Sequence, residues 1–137
     1  MRIGIDMLDI AGFARIAEDP RACRTLFTDT ELAFARTLGD ARRGEYLAGR
    51  FCAKEATAKL LGRGYGQDGL RWRDIEVGRD GYGAPTVSLS GAAGQVAESQ
   101  HVHAIELSLS HHAGLVVCVA VATHTEVATH TEGREQP

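Results

Sequence analysis

Arg50-Phe51-Cys52-Ala53-Lys54-Glu55-Ala56-Thr57-Ala58-Lys59-Leu60-Leu61-Gly62 is the stretch on which the rest of the chain is organised. It is rich in strong helix formers, holds no proline, and ends on a glycine suited to a helix C-terminus. Leu47, Phe51, Cys52, Ala56 and Leu60 fall near a helical period, so one face is expected to pack against a core. Glu55 and Lys59 are four apart and share a side, with Lys54 beside them. Taken alone, such a pair is a solvated ion pair contributing a few tenths of a kcal/mol, roughly 0.3–0.5.

The whole chain has 137 residues, enough for one domain with a real core. Its 44% apolar and 24% charged content belongs to an ordinary globular protein. No run approaches the ~20 apolar residues of a membrane span. Met1 to Asp6 enters a strand-like pattern at once, unlike a secretory signal, so the cytoplasm is the expected compartment. Cys23, Cys52 and Cys118 are odd in number and lie in apolar settings, which fits free thiols in a reducing compartment. A net charge of −3 and only eight aromatic residues argue against a nucleic-acid binder. Basic residues nevertheless gather at Arg42-Arg43, Arg50, Lys54, Lys59, Arg63 and Arg71-Trp72-Arg73. A local positive surface on a mildly acidic protein points to a small polyanion or an acidic partner.

Upstream of the central stretch, Arg2 to Asp6 reads as a strand, with Gly4 allowing close backbone approach. Asp6 is then either a cap for the next segment or a ligand. A helix is expected over about Ile10 to Ala17, broken near Asp19-Pro20, with a second helical piece after it. Thr28 and Glu31 form a capping-box pattern that opens a helix to about Leu38. Gly39-Asp40-Ala41 closes that helix, and Arg43 or Gly44 starts the central one. Downstream come a glycine-dense loop (Arg63 to Gly69), a strand over Trp72 to Val77, a turn at Asp80 to Gly83 and a returning strand from Pro85 to Ser90. A short helix over Gly91 to Gln100 precedes two strands, Ala104 to Ser110 and Leu115 to Ala122, joined through His111-His112-Ala113-Gly114. Helices first and antiparallel strands after make this an α+β domain, an antiparallel sheet packed on a long central helix.

The domain is expected to occupy residues 1–123. Residues 124–137 read as a disordered tail, in which Val127-Ala128-Thr129-His130-Thr131-Glu132 repeats Val121 to Glu126. That tail carries one Arg and three Glu, so the remaining chain is close to neutral.

Gly4-Ile5-Asp6, Phe27-Thr28-Asp29-Thr30-Glu31-Leu32, Arg50 to Lys59, Gly83-Ala84-Pro85 and Ser108-Leu109-Ser110-His111 occur in this order. Together they resemble the holo-acyl-carrier-protein synthases, small 4′-phosphopantetheinyl transferases, from Arg2 to about Ala122. The Lys54-Glu55-Ala56 segment with Lys59 and the upstream Gly4-x-Asp6 is the specific part of the match. Between Asp6 and Arg15-Ile16 the chain is about three residues longer than the usual family pattern.

The resemblance implies transfer of the phosphopantetheine arm of coenzyme A onto a carrier-protein serine, with release of 3′,5′-ADP. Such a reaction needs negative charge neutralised on bridging and leaving oxygens. By resemblance Asp6 and Glu55 are the carboxylates that hold Mg²⁺, a hard cation that favours oxygen ligands. Lys59 would face the same pyrophosphate. Glu55, or a water made more acidic by Mg²⁺, would take the serine proton. Arg42, Arg50 and His111 are the family's candidates for the 3′-phosphate, Pro85 for the adenine, and Gly62 and Gly64 for close backbone approach to the cofactor. The family's site forms between neighbouring subunits, which implies a homotrimer, with the strands Ala104 to Leu109 and Leu115 to Val121 suited to its interface. Acyl carrier proteins are acidic, so Arg15, Arg21 and Arg24, with Phe13 and Ile16, are the expected docking surface. Solubility of a surface helix explains Arg21 and Arg24 equally well. The spacing of His101, His103, His111 and His112 matches no zinc pattern. The rival reading from another class is a non-catalytic module that binds coenzyme A and keeps the fold.

Overall fold

The computed structural model describes residues 1–124. Strand β1 (Arg2–Asp9) leads directly into helix α1 (Ile10–Ala17). The chain turns at Asp19, whose carboxylate accepts from the Arg21 N–H and caps α2 (Pro20–Leu26), with Pro20 in the first turn. Thr28 and Glu31 do form a capping box at the start of α3 (Asp29–Ala35). That helix stops three residues short of the expected Leu38, and Arg36 to Leu38 form a turn.

Helix α4 (Asp40–Leu61) begins earlier than Arg43, with Gly39 as its N-cap. Gly44 is therefore inside the helix, where its missing side chain faces Ala14 of α1. The helix ends as expected at Gly62, which adopts the left-handed conformation (φ 68°) natural to a C-terminal glycine. From Leu47 to Leu61 every residue is buried except Phe51, Glu55 and Lys59. The packed surface is thus most of the helix and not one face. Alanines at 48, 53, 56 and 58 let neighbours approach closely, leaving a single open ridge at i, i+4 and i+8.

After α4, Trp72 to Asp74 form a short 3-10 turn and not the expected strand start; strand β2 runs Ile75–Arg79 and pairs with β3 (Pro85–Leu89). Helix α5 (Gly91–Ser99) leads to β4 (Val102–His112) and β5 (Leu115–His124). The connection between these last strands is two residues, Ala113 (φ 51°) and Gly114 (φ 77°), both left-handed as a tight twisted hairpin demands. His111 and His112 therefore belong to β4 and not to the turn. The tail with its repeat lies outside the described residues beyond His124.

Two antiparallel sheets result among the described residues, one ordered β1-β5-β4 and the other the β2-β3 ribbon. Helix α4 crosses the inner face of the first, against Val116, Cys118, Ala120 and Ala122 of β5. At Gly4 a Cβ would overlap the Ala56 carbonyl oxygen and crowd the Leu60 nitrogen, so only glycine admits this approach of strand to helix. Phe13, Phe27, Leu47 and Leu61 are each 2% exposed or less, and each contributes about 1.5–3 kcal/mol through burial.

Candidate functional site

Asp6 sits in the middle of β1 on the face turned toward α4, 8% exposed, and caps no helix. Period-two alternation puts Ile3, Ile5 and Met7 on the opposite face. Lys59 reaches across from the open ridge of α4. Its Nζ donates to Asp6 Oδ1 at 2.9 Å and to the Ile5 carbonyl at 3.1 Å. Lys59 thus pairs with Asp6 and not, as the bare i, i+4 spacing would allow, with Glu55, and the Asp6 hydrogen bond raises the Lys59 pKa, keeping it charged at neutral pH.

Glu55 stands one turn before Lys59. Burial first, and then the charge of the neighbouring Asp6 carboxylate, push the Glu55 pKa up to about 7. Lys59 offsets part of this. Two acidic groups share a space that suits one negative charge. Asp6 Oδ2 is buried and has no hydrogen-bond partner among the described residues. An orphaned carboxylate oxygen beside a second carboxyl fits a hard divalent cation. The described residues gather no group of three His, Cys, Asp or Glu able to hold a metal by themselves. Two carboxyl groups with one orphaned oxygen fit Mg²⁺, which takes one or two carboxylates and completes its shell with substrate and water.

Beneath the acids lie two buried thiols. Cys52 Sγ donates to the Asp6 carbonyl at 3.3 Å. Burial, with the Asp6 charge nearby, lifts Cys52 to about 12 and Cys118 to about 11, so both stay protonated and inert.

Lys54, next to Glu55 in sequence, does something else. It is fully buried, and its three ammonium protons go to Glu31 (2.7 Å) and to the carbonyls of Trp72 (3.0 Å) and Ile75 (2.5 Å). Glu31 also accepts from the backbone N–H groups of Thr28 and Val77, both at 2.8 Å. Lys54 is thus no part of a surface cluster, and burial lowers its pKa against the opposing pull of Glu31.

Arg42, Arg50, Pro85 and His111 come together around one cavity of about 250 Å³. Phe34, Glu45, Tyr46, Gly49, Arg79 and Gly83 line it too, and the sequence pattern had not singled these out as binding residues. A Cβ at Gly49 would lie 3.8 Å from His111 Nε2, so the glycine keeps the cavity floor open. Arg50 is 6% exposed, lies over the Tyr46 ring at 4.4 Å, and leaves its Nε without a partner.

Asp6, Glu55 and Lys59 are not among the residues that line this cavity. Asp6 is on β1, His111 on β4, and β5 separates them under α4. Gly62 and Gly64 follow Lys59 at the end of α4, on the side of the acids. The Gly64 N–H is already taken by Gln67 Oε1 at 2.6 Å.

Arg15, Arg21 and Arg24 are exposed on α1 and α2, without ion-pair partners among the described residues. Ile16 beside them is 46% exposed, but Phe13 is 2% exposed and unavailable to a partner. Phe13 instead stacks on Phe51 at 5.2 Å, and Phe51 meets Trp72 edge-on at 5.3 Å. This aromatic chain, closed by Tyr65 on Trp72 at 5.7 Å, borders the ridge that carries Glu55 and Lys59. Contacts between residues so far apart in sequence leave no local signal.

Residues 2–120 match the family model of the 4′-phosphopantetheinyl transferase superfamily. The chain belongs to that family. A holo-[acyl-carrier-protein] synthase of Clavibacter sepedonicus is 41% identical over 87% of this chain and 92% of its own. Among solved structures, Plasmodium yoelii acyl carrier protein synthase with ADP bound superposes with a TM-score of 0.80 at 30% identity, covering 90% of this chain and 95% of that one. A holo-(acyl-carrier-protein) synthase from Bacillus anthracis in complex with CoA (3′,5′-ADP) gives 0.75 at 29% identity, over 90% and 96%. The α+β architecture of the enzyme is that of these structures. No helix among the described residues is long and apolar enough to cross a membrane.

Proposed function

We propose that the enzyme transfers the 4′-phosphopantetheine arm of coenzyme A to a serine of an apo acyl carrier protein, releasing 3′,5′-ADP with Mg²⁺ as cofactor. The observation that carries this reading is the Asp6–Glu55 carboxyl pair, with Asp6 Oδ2 buried and unpartnered among the described residues and Lys59 donating to Asp6 Oδ1.

Asp6 and Glu55 would hold the Mg²⁺. When bound, the ion supplies Lewis-acid neutralisation of the pyrophosphate oxygens. Lys59 fixes the Asp6 carboxylate and, with its side chain 57% exposed, keeps a donor free for a phosphate oxygen. Glu55 would accept the proton of the carrier serine. The serine oxygen then forms its bond to the pantetheine-side phosphorus, and the bond to the second phosphate breaks. 3′,5′-ADP departs with the electron pair, its new charge facing Lys59.

The nucleotide end of coenzyme A belongs in the cavity of Arg42, Arg50, His111 and Pro85, contributed by a neighbouring subunit. Support comes from the family resemblance, whose site forms between neighbouring subunits, and from the exposed apolar face of the sheet. A homotrimer is the assembly we infer, its interface the outer sheet face. There Ile3, Ile5 and Met7 are 59%, 55% and 63% exposed beside Val117, Val119 and Val121. Arg15, Arg21 and Arg24 form the docking surface for the acidic carrier. The expected compartment is the cytoplasm.

Chromatographic detection of 3′,5′-ADP tests the proposal. Release is expected only when coenzyme A, Mg²⁺ and an apo carrier protein are all present. Tight binding of coenzyme A with no release from any carrier would instead establish a non-catalytic module.

A further inference from the structure

The cavity holds more cationic groups than the family pattern had named. Arg79, at the end of β2, lines it opposite Arg42 and Arg50, and its guanidinium carbon lies 5.5 Å over the Phe34 ring. Phe34 is itself 4.9 Å from the Tyr46 ring, on which Arg50 lies. Arg50, Tyr46, Phe34 and Arg79 thus form a ladder with a cation at each end. Arg42, Arg50 and Arg79 have no ion-pair partner among the described residues, although Glu45 shares the cavity.

Three unneutralised guanidinium groups around one space repel each other until an anion enters. A stacked arginine keeps its fork of N–H donors pre-oriented, so it loses little freedom on binding. The position of Arg79 is also fixed from the other side. It pairs with Pro85 across the β2-β3 hairpin, so the cation and the proline expected at the adenine are presented by one rigid unit. Asp80 Oδ1 holds the tip of that hairpin by accepting from the N–H groups of Tyr82 (2.8 Å) and Ala84 (3.0 Å).

We propose that Arg79, resting against the Phe34 ring, is a further specificity residue of the site, gripping the 3′-phosphate monoester that distinguishes coenzyme A from its dephosphorylated form. This rests on the reading of the cavity as the nucleotide subsite. The diphosphate is engaged at the acids, so the monoester is the remaining dianion of the ligand, and a dianion calls for more than one guanidinium. Arg79 binds; Phe34 positions.

Calorimetric titration of the intact protein with 3′,5′-ADP and with 5′-AMP tests this. Arg79→Ala, at an exposed position, is expected to weaken 3′,5′-ADP about 10- to 100-fold and leave 5′-AMP unchanged. Phe34→Leu is expected to lose part of the same preference, and Phe34→Tyr, which keeps a ring, to restore it. If the wild-type protein prefers 3′,5′-ADP and Arg79→Ala keeps that preference in full, the assignment of Arg79 is wrong while the nucleotide subsite stands. If the wild-type protein shows no preference at all, both the subsite reading and this inference fall.

Discussion

Lys54 Nζ lies 2.7 Å from Glu31 Oε1 in the interior, both side chains 1% exposed or less, and the pair ties α3, α4 and the start of β2 together. Removing one member of such a pair strands the other charge in a dry environment. Lys54→Ala is expected to lower unfolding free energy by about 3–5 kcal/mol, read from a denaturant titration. A loss under about 1 kcal/mol would show that the pair carries no structural load.

Its neighbour in sequence behaves in the opposite way. Glu55 stands on the open ridge, and its pKa shows that its charged form is disfavoured where it stands. Glu55→Gln keeps the shape and removes the charge, so the thermal midpoint should hold or rise slightly. Turnover should drop by about a hundredfold or more. Parallel loss of stability and activity would make Glu55 a structural residue.

The metal-free protein should show a pH dependence of stability. Glu55 is lifted from an ordinary value of 4.5 to about 7 in the folded state. Across that window the native chain keeps a proton the unfolded chain has released, so this group's contribution to stability falls as pH rises. A cation shared by the two carboxylates cancels the penalty. Mg²⁺ should therefore raise the melting temperature more at about pH 8 than at about pH 5. An equal gain at both values, or the same gain in Glu55→Gln, would contradict a carboxylate-held ion.

If acids and nucleotide cavity come from different subunits, two dead variants should rescue each other. Glu55→Gln lacks the acid, and Arg42→Ala with His111→Ala lacks the cavity cations. Co-refolded in equal amounts in a randomly mixed oligomer, about a quarter of the sites pair an intact acid with an intact cavity. Activity near that fraction is expected from the mixture. A mixture as inactive as its parents would place the whole site in one chain.

Much of this arrangement was legible because it is local or ordered along the chain. The Thr28–Glu31 box, the Pro20 break and the Gly62 end are short-range chemistry and appear as the sequence implies. So does the gathering of Asp6, Glu55 and Lys59, which rested on family order and not on any periodicity. What escaped depends on tertiary contact. Lys54 looks like any surface lysine until Glu31 and two carbonyls are brought around it. Gly44 reads as a helix start until Ala14 is found packed against it. Arg79 and Phe34 are 45 residues apart and meet only when β2 lies beside α3.

The central claim is best tested on the carrier itself, by the intact mass of an apo acyl carrier protein after incubation with this enzyme, coenzyme A and Mg²⁺. The account predicts a gain equal to one phosphopantetheine group, located on a single serine and absent with Glu55→Gln. An unchanged mass across carriers from fatty-acid, polyketide and peptide synthesis would contradict it.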